Sequence, residues 1–166
     1  MKICYVGIDP GKSGGIACCY NDDKVFMASK CPENPADMNA IFQILTFGCD
    51  KVYISLEHVW GFPTDSSKTA FTFGWNYGCW QTIIEIDKLH YPLDVKFELV
   101  NPRVWQKHFK TPKSDKKQRK AWLKELAIKR ASKLIVRNSK TNNVTFSISD
   151  AILISQYCKD IKKVKE

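Results

Sequence analysis

The stretch 'VGIDPGKSGGIACCY', Val6 to Tyr20, decides between two folds. Its G-K-S letters occur in loops that wrap nucleotide phosphates, where a glycine-rich turn between a strand and a helix aims backbone N–H groups at the anion. Such a loop places four residues between its first glycine and the Gly-Lys pair. Here only Ile8, Asp9 and Pro10 separate Gly7 from Gly11. After Ser13 the chain reads 'GGIACCY', two glycines and a β-like run, which predicts a second strand rather than a helix. The stretch therefore reads as a hairpin. Pro10 and the glycines suit its turn, but a plain turn gives no reason for Asp9, a carboxylate at the inner end of the apolar strand 'KICYVGID'.

Outward from the hairpin, 'GIACCY' and 'KVFMAS' continue an antiparallel meander across the turn signal 'NDD'. 'NPADMNAIFQILTF' is next, a helix with Pro35 in its first turn and Met38, Ile41, Phe42 and Leu45 at helical spacing. 'KVYISLE' is a fourth strand ending at Glu57, and 'HVWGFPTDSS' a loop. Ser66 or Ser67 then caps a long helix through about His90, where Gly74 and Gly78 lie on one face and would admit another element closely. 'DVKFELV' is the fifth strand, and a short helix begins at Pro102 in 'NPRVWQKHF'. 'KTPKSDKKQRKAWLKELAIKRASKLI' reads as a basic linker, a Ser114 cap and a helix with Trp122, Leu123, Leu126, Ile128 and Leu134 at its apolar positions. A polar loop, 'RNSKTNNV', precedes the last helix, 'SISDAILISQYCKDIKK'. The order βββαβαβαα describes one α/β domain over residues 1–166, a mixed five-stranded sheet that begins with the antiparallel meander and is flanked by helices.

With 44% hydrophobic and 26% charged residues, a chain of 166 suits one ordinary core. No run approaches the ~18 apolar residues of a membrane span. The start 'MKICYVGIDP' lacks the pattern of a signal or transit peptide, so the expectation is an intracellular, cytoplasmic protein with no membrane partner. Seven cysteines without a C-x-x-C pair read as reduced, packed thiols. The charge is uneven: residues 1–100 carry 8 basic and 12 acidic side chains, residues 101–166 carry 18 and 5, within a net +9. A basic excess confined to the last third points to a polyanion, and with no apolar face beside the lysines that polyanion is nucleic acid rather than a membrane. A solvated lysine-rich surface is the alternative.

Three carboxylates stand at positions that converge if the strands are neighbours. Asp9 alternates with Gly7 and Tyr5 on one strand face, and Glu57 shares a face with Ser55 and Tyr53 at the end of another strand. Asp150, near the start of the last helix, supplies a third if that helix crosses the sheet. Acids packed together raise one another's pKa unless a cation neutralises them. Oxygen-only ligation suits Mg²⁺ or Mn²⁺ and the two-metal hydrolysis of a phosphodiester. Taken singly, Asp150 reads equally as the last member of a Ser147-x-x-Asp150 capping box, and Glu57 as a solvated strand end.

The combination resembles the RuvC family of Holliday junction resolvases, in the short form typical of bacteriophages, within the RNase H-like fold. The matching pieces are 'VGIDPGKSGGIA', 'ISLEHVWGF' with 'FTFGWNYG' beyond it, 'LVNPRVWQKHF', a lysine-rich helix start and 'SDAILISQY', in family order over essentially the whole chain. The resemblance implies that Asp9, Glu57 and Asp150 bind the catalytic metal, Mg²⁺ with Mn²⁺ as a substitute. It also implies that Trp60, three residues after Glu57, stacks on bases at an opened crossover, a contact worth ~1–3 kcal/mol per base. Lys107 and Lys116 or Lys117 match basic positions near the scissile phosphate. The DNA-contacting set it implies is Trp60, Lys12, Lys68, Lys113, Lys116, Lys117, Arg119 and Lys120.

One departure stands out. The family usually carries a further acid, or a histidine, a few residues before the last Asp, whereas no acid lies between Glu125 and Asp150 here. Ser147, or Asn142 or Asn143, would be a weaker neutral ligand. The implied activity is a divalent-metal-dependent endonuclease that binds branched DNA as a homodimer and nicks opposed strands of a four-way junction, leaving 5′-phosphates. The long helix with Gly74, Gly78, Phe71, Phe73, Trp75, Tyr77 and Trp80 offers a dimer surface, although those aromatics serve equally well as core. The alternatives are a junction-binding protein whose chemistry has weakened and an RNA-processing nuclease of the same fold.

Overall fold

The backbone alternation of the first strand sets the architecture, because it buries both of its faces. The computed structural model describes residues 1–21, 25–58, 66–90 and 94–163. Among these the order is β1 (Ile3–Asp9), β2 (Gly15–Tyr20), β3 (Val25–Lys30), α1 (Pro35–Thr46), β4 (Lys51–Glu57), α2 (Ser67–His90), β5 (Asp94–Val100), α3 (Pro102–His108), α4 (Lys116–Arg130), β6 (Lys133–Val136) and α5 (Phe146–Lys163). The sheet runs β5-β4-β1-β2-β3-β6. β1 pairs antiparallel with β2 and parallel with β4, and β4 pairs parallel with β5. Cys4, Val6 and Ile8 of β1 enter a core with Met38, Ile41, Phe42 and Leu45 of α1 and Trp80, Ile83 and Ile84 of α2. Tyr5, stacked on Tyr53 of β4 at 5.6 Å, enters the opposite core with Trp105 of α3, Leu123 of α4 and Ile152 of α5. A strand covered on both sides is the near-continuous apolar run that its sequence displays.

Among the described residues the sheet has six strands, not five. 'KLIV', read from sequence as the tail of a helix, forms β6 and pairs parallel with β3 from Val25↔Lys133 to Ala28↔Val136. Leu134 stands three helical turns beyond Leu123, so the apolar period continues past the helix that generated it. The helix itself ends at Arg130, and β-branched Ile135 and Val136 then favour the sheet edge. The cap also moves by one residue: Asp115, not Ser114, accepts from Lys117 N at 2.8 Å and Gln118 N at 3.0 Å. At α2 the cap is Ser66, whose Oγ accepts from Thr69 N at 3.2 Å.

α5 lies directly on the sheet. A Cβ at Gly7 would sit 2.2 Å from Ser155 N and 2.4 Å from Ala151 O, and one at Gly15 would sit 2.6 Å from Ser147 O. Only glycine lets the helix main chain come that close. By contrast, among the described residues nothing lies within 4 Å of a Cβ at Gly74 or Gly78, so no described element uses their small size. The seven cysteines are thiols, six of them buried. No helix among the described residues is long and apolar enough to cross a membrane.

Candidate active site

Asp9 and Glu57 are placed by register. Ile8 pairs with Leu56 in the parallel β1–β4 ladder, so the next residue on each strand is an acid at the same sheet edge. Each carboxyl is perturbed. Burial, then the charges of Glu57 and Asp150, hold Asp9 well above the usual carboxylate range, and a hydrogen bond to Glu57 raises it further. Glu57 is pushed up to about 7, by burial first and then by the charge of Asp150. Two hydrogen bonds oppose that rise, one from Trp105 Nε1 to Glu57 Oε1 at 2.8 Å and one with Asp9. Asp9, Glu57 and Asp150 thus form one acidic cluster in which burial and each neighbouring charge disfavour ionisation of the others.

Asp150 reaches the same edge from α5. It occupies the helix's second turn, so it is not a cap: Ser149 N and Ile148 N instead bond to Thr145 O. Burial raises its pKa, opposed by the charge of Lys120, by Ser149 Oγ at 3.4 Å and by the charge of Arg119. Lys120 also acts on Asp9. The three acids keep partial exposure, which leaves the edge open to a ligand from solution.

The donor chemistry suits a hard divalent cation. Asp9 and Glu57 offer carboxyl oxygens at one sheet edge, and a cation bound there would relieve the repulsion that lifts both groups. Among the described residues, no group of three or more His, Cys, Asp or Glu side chains stands close enough to form a complete cation cage. Asp150 is thus coupled to the pair by charge.

The other residues singled out in the sequence fall into separate places. Lys107 is in the last turn of α3, and Lys116 and Lys117 are exposed in the first turn of α4, with Lys113 exposed just before it. The α4 cations brought to the acids are Lys120 and Arg119, one turn further on. Lys12 and Lys68 line one cleft of about 420 Å³ with Ser13, Thr69, Thr72 and Phe73, between the hairpin turn and the start of α2. Ser147 lies in the first turn of α5, where its carbonyl faces Gly15. Asn142 is committed elsewhere, its Oδ1 accepting from Val136 N at 2.8 Å. Trp60 lies outside the described residues. The aromatics of α2 divide: Trp80 is core, whereas Phe71 is 74% exposed and Trp75 42%.

Two supports of the site escaped the sequence reading. Trp105 holds Glu57, and the signal available was a lone tryptophan in the short helix 'PRVWQKH'. Asn76, buried on α2, accepts from Gly11 N at 2.7 Å and donates to Cys31 Sγ at 3.4 Å, tying the turn after Asp9 to the helix. Its signal was an amide amid 'FGWNYG'.

No protein-family model matches the chain, and no curated protein matches it. Solved structures do. A RuvC of T. thermophilus in complex with a Holliday junction substrate superposes with a TM-score of 0.58 at 13% identity, over 99% of this chain and 96% of that one. A further Thermus thermophilus RuvC structure gives 0.56 at 12% identity, over 99% and 97%. The fold is the RNase H-like fold of RuvC.

Proposed function

We propose that this chain is a divalent-metal-dependent, structure-specific endonuclease that resolves four-way or branched DNA junctions by paired nicks, leaving 5′-phosphates. The observation that carries this reading is the placement of Asp9 and Glu57 side by side at the ends of two parallel central strands, with Asp150 laid over them by α5. Asp9, Glu57 and Asp150 would hold Mg²⁺, with Mn²⁺ as a substitute. A bound ion of this kind supplies charge neutralisation at the phosphate and activation of water. Lys120 and Arg119, whose charges already bear on the acids, draw a phosphodiester toward the same edge. Lys107, Lys113, Lys116 and Lys117, and Lys12 with Lys68 on the far side of the hairpin, extend the contact along the backbone and make it salt-dependent. Trp60 takes the stacking role that the resemblance implies. Two symmetric nicks need two sites, and a homodimer supplies them. The open groove of α2 around Gly74, Trp75, Gly78 and Ile86 is the surface that suits it.

A second reading is junction binding with weakened chemistry. It is favoured by the neutral turn 'VTFSIS' before Asp150 and by the incomplete cage among the described acids. RNA is the alternative substrate for the same machinery. One experiment separates all three: incubation of the protein and its Asp9→Asn variant with labelled four-way junction, linear duplex and structured RNA, in Mg²⁺ or Mn²⁺. Junction-selective cutting that Asp9→Asn abolishes supports the proposal. Equal cutting of junction and duplex removes it, and binding without cutting in either metal selects the second reading.

A further inference from the structure

Trp105 does something that packing alone does not require. Its ring is fully buried, and an indole has a single donor and no acceptor, so the N–H must find a partner inside the core. The partner is not a backbone carbonyl but Glu57 Oε1, at 2.8 Å. The helix that carries the ring is held at both ends. α3 continues directly from β5, whose Val100 pairs with Glu57 and accepts from His58 N at 2.8 Å. Asn101 caps α3 by accepting from Arg103 N at 2.9 Å. At the other end His108 Nε2 meets Asp160 Oδ2 of α5 at 2.9 Å. The carboxylate plane of Glu57 is thus referenced to a rigid ring on a different element from the strand that carries it.

We infer that Trp105 is a positioning residue: by occupying one oxygen of Glu57 it fixes the carboxylate's rotation and leaves the second oxygen for the cation. This rests on the reading of Glu57 as a metal ligand. Partners that orient a ligand from outside typically contribute 10–100-fold to metal affinity or activity. Trp105→Phe keeps a ring in the core and removes only the donor, so it should bind a four-way junction in chelator as the parent does. It should also weaken Mn²⁺ binding to the DNA-free protein by about 10- to 100-fold in calorimetry. Cleavage by Trp105→Phe should fall in kcat with KM unchanged, and raised Mn²⁺ should restore it. Glu57→Gln should lose Mn²⁺ binding and resist such rescue. If Trp105→Phe binds Mn²⁺ like the parent while Glu57→Gln does not, the positioning role is wrong and the ligand reading stands. If Glu57→Gln also binds normally, the ligand reading itself is wrong. Should Trp105→Phe fail to fold, the parent protein decides: its Trp105 indole N–H resonance should shift on Mg²⁺ titration, and an unmoved resonance overturns the inference.

Discussion

Replacing Glu57 with Gln should stabilise the metal-free protein, and only above a definite pH. Glu57 ionises with a pKa of about 7 in the folded chain against an ordinary 4.5, chiefly because it is buried. Below pH 4.5 it is neutral in both folded and unfolded states, and no penalty exists. Between 4.5 and 7 the unfolded chain gives up its proton while the folded chain keeps it, so stability falls as pH rises, and above 7 the full loss is present. A shift of that size corresponds to roughly 3 kcal/mol. Gln has no proton to lose, and its Oε1 still accepts from Trp105 Nε1. In chelator at pH 8 the variant should therefore exceed the parent by roughly 3 kcal/mol, or about 6–12 °C in Tm for a domain of this size. The margin should shrink to the baseline substitution effect at pH 4. Urea denaturation from pH 4 to 8.5 measures it directly. If Glu57 is the metal ligand proposed above, adding Mg²⁺ at pH 8 should reverse the ranking, because an ion held by the folded, ionised parent would stabilise it and not the variant. Parallel stability curves for the two proteins across that pH range would refute the argument, since the acid could not then be held protonated by its surroundings.

The same geometry fixes the response to other substitutions. Asp9→Asn should abolish junction cutting while leaving junction binding in chelator within about threefold, read by gel shift beside a cleavage assay; retained cutting would remove Asp9 from the chemistry. Lys120→Ala and Arg119→Ala should each lower the slope of log binding constant against log salt by about 1, whereas a substitution outside the DNA path should not change it. Gly7→Ala should cost about 3 kcal/mol or more in urea melts, because its methyl meets the α5 main chain at 2.2 Å; a loss under about 0.5 kcal/mol would mean that α5 does not sit there.

Much of the site was legible because it depends on local periods. Asp9, Gly7 and Tyr5 alternate on one face, and Ser55 and Tyr53 place Glu57 likewise, so the shared edge required only that β1 and β4 be neighbours. Asp150 was legible as a helix-borne acid, but its second-turn position and its dependence on Lys120 come from how α4 packs on α5. The sixth strand was hidden because Leu134 continues a helical period beyond the point where the helix stops. Trp105 and Asn76 were hidden for another reason: each acts on a partner 48 or 65 residues away, and no spacing rule links such pairs. The Ser114 cap failed by one residue because the neighbouring Asp115 accepts from two amides at once.

The contact of α5 with Gly7 and Gly15 bears on the geometry of the site as well as on packing. Main chain against main chain has a thickness that no side-chain replacement elsewhere alters, so the gap between the strand that carries Asp9 and the helix that carries Asp150 works as a fixed gauge. A chain with 13% identity to a RuvC can then share its fold over 99% of its length.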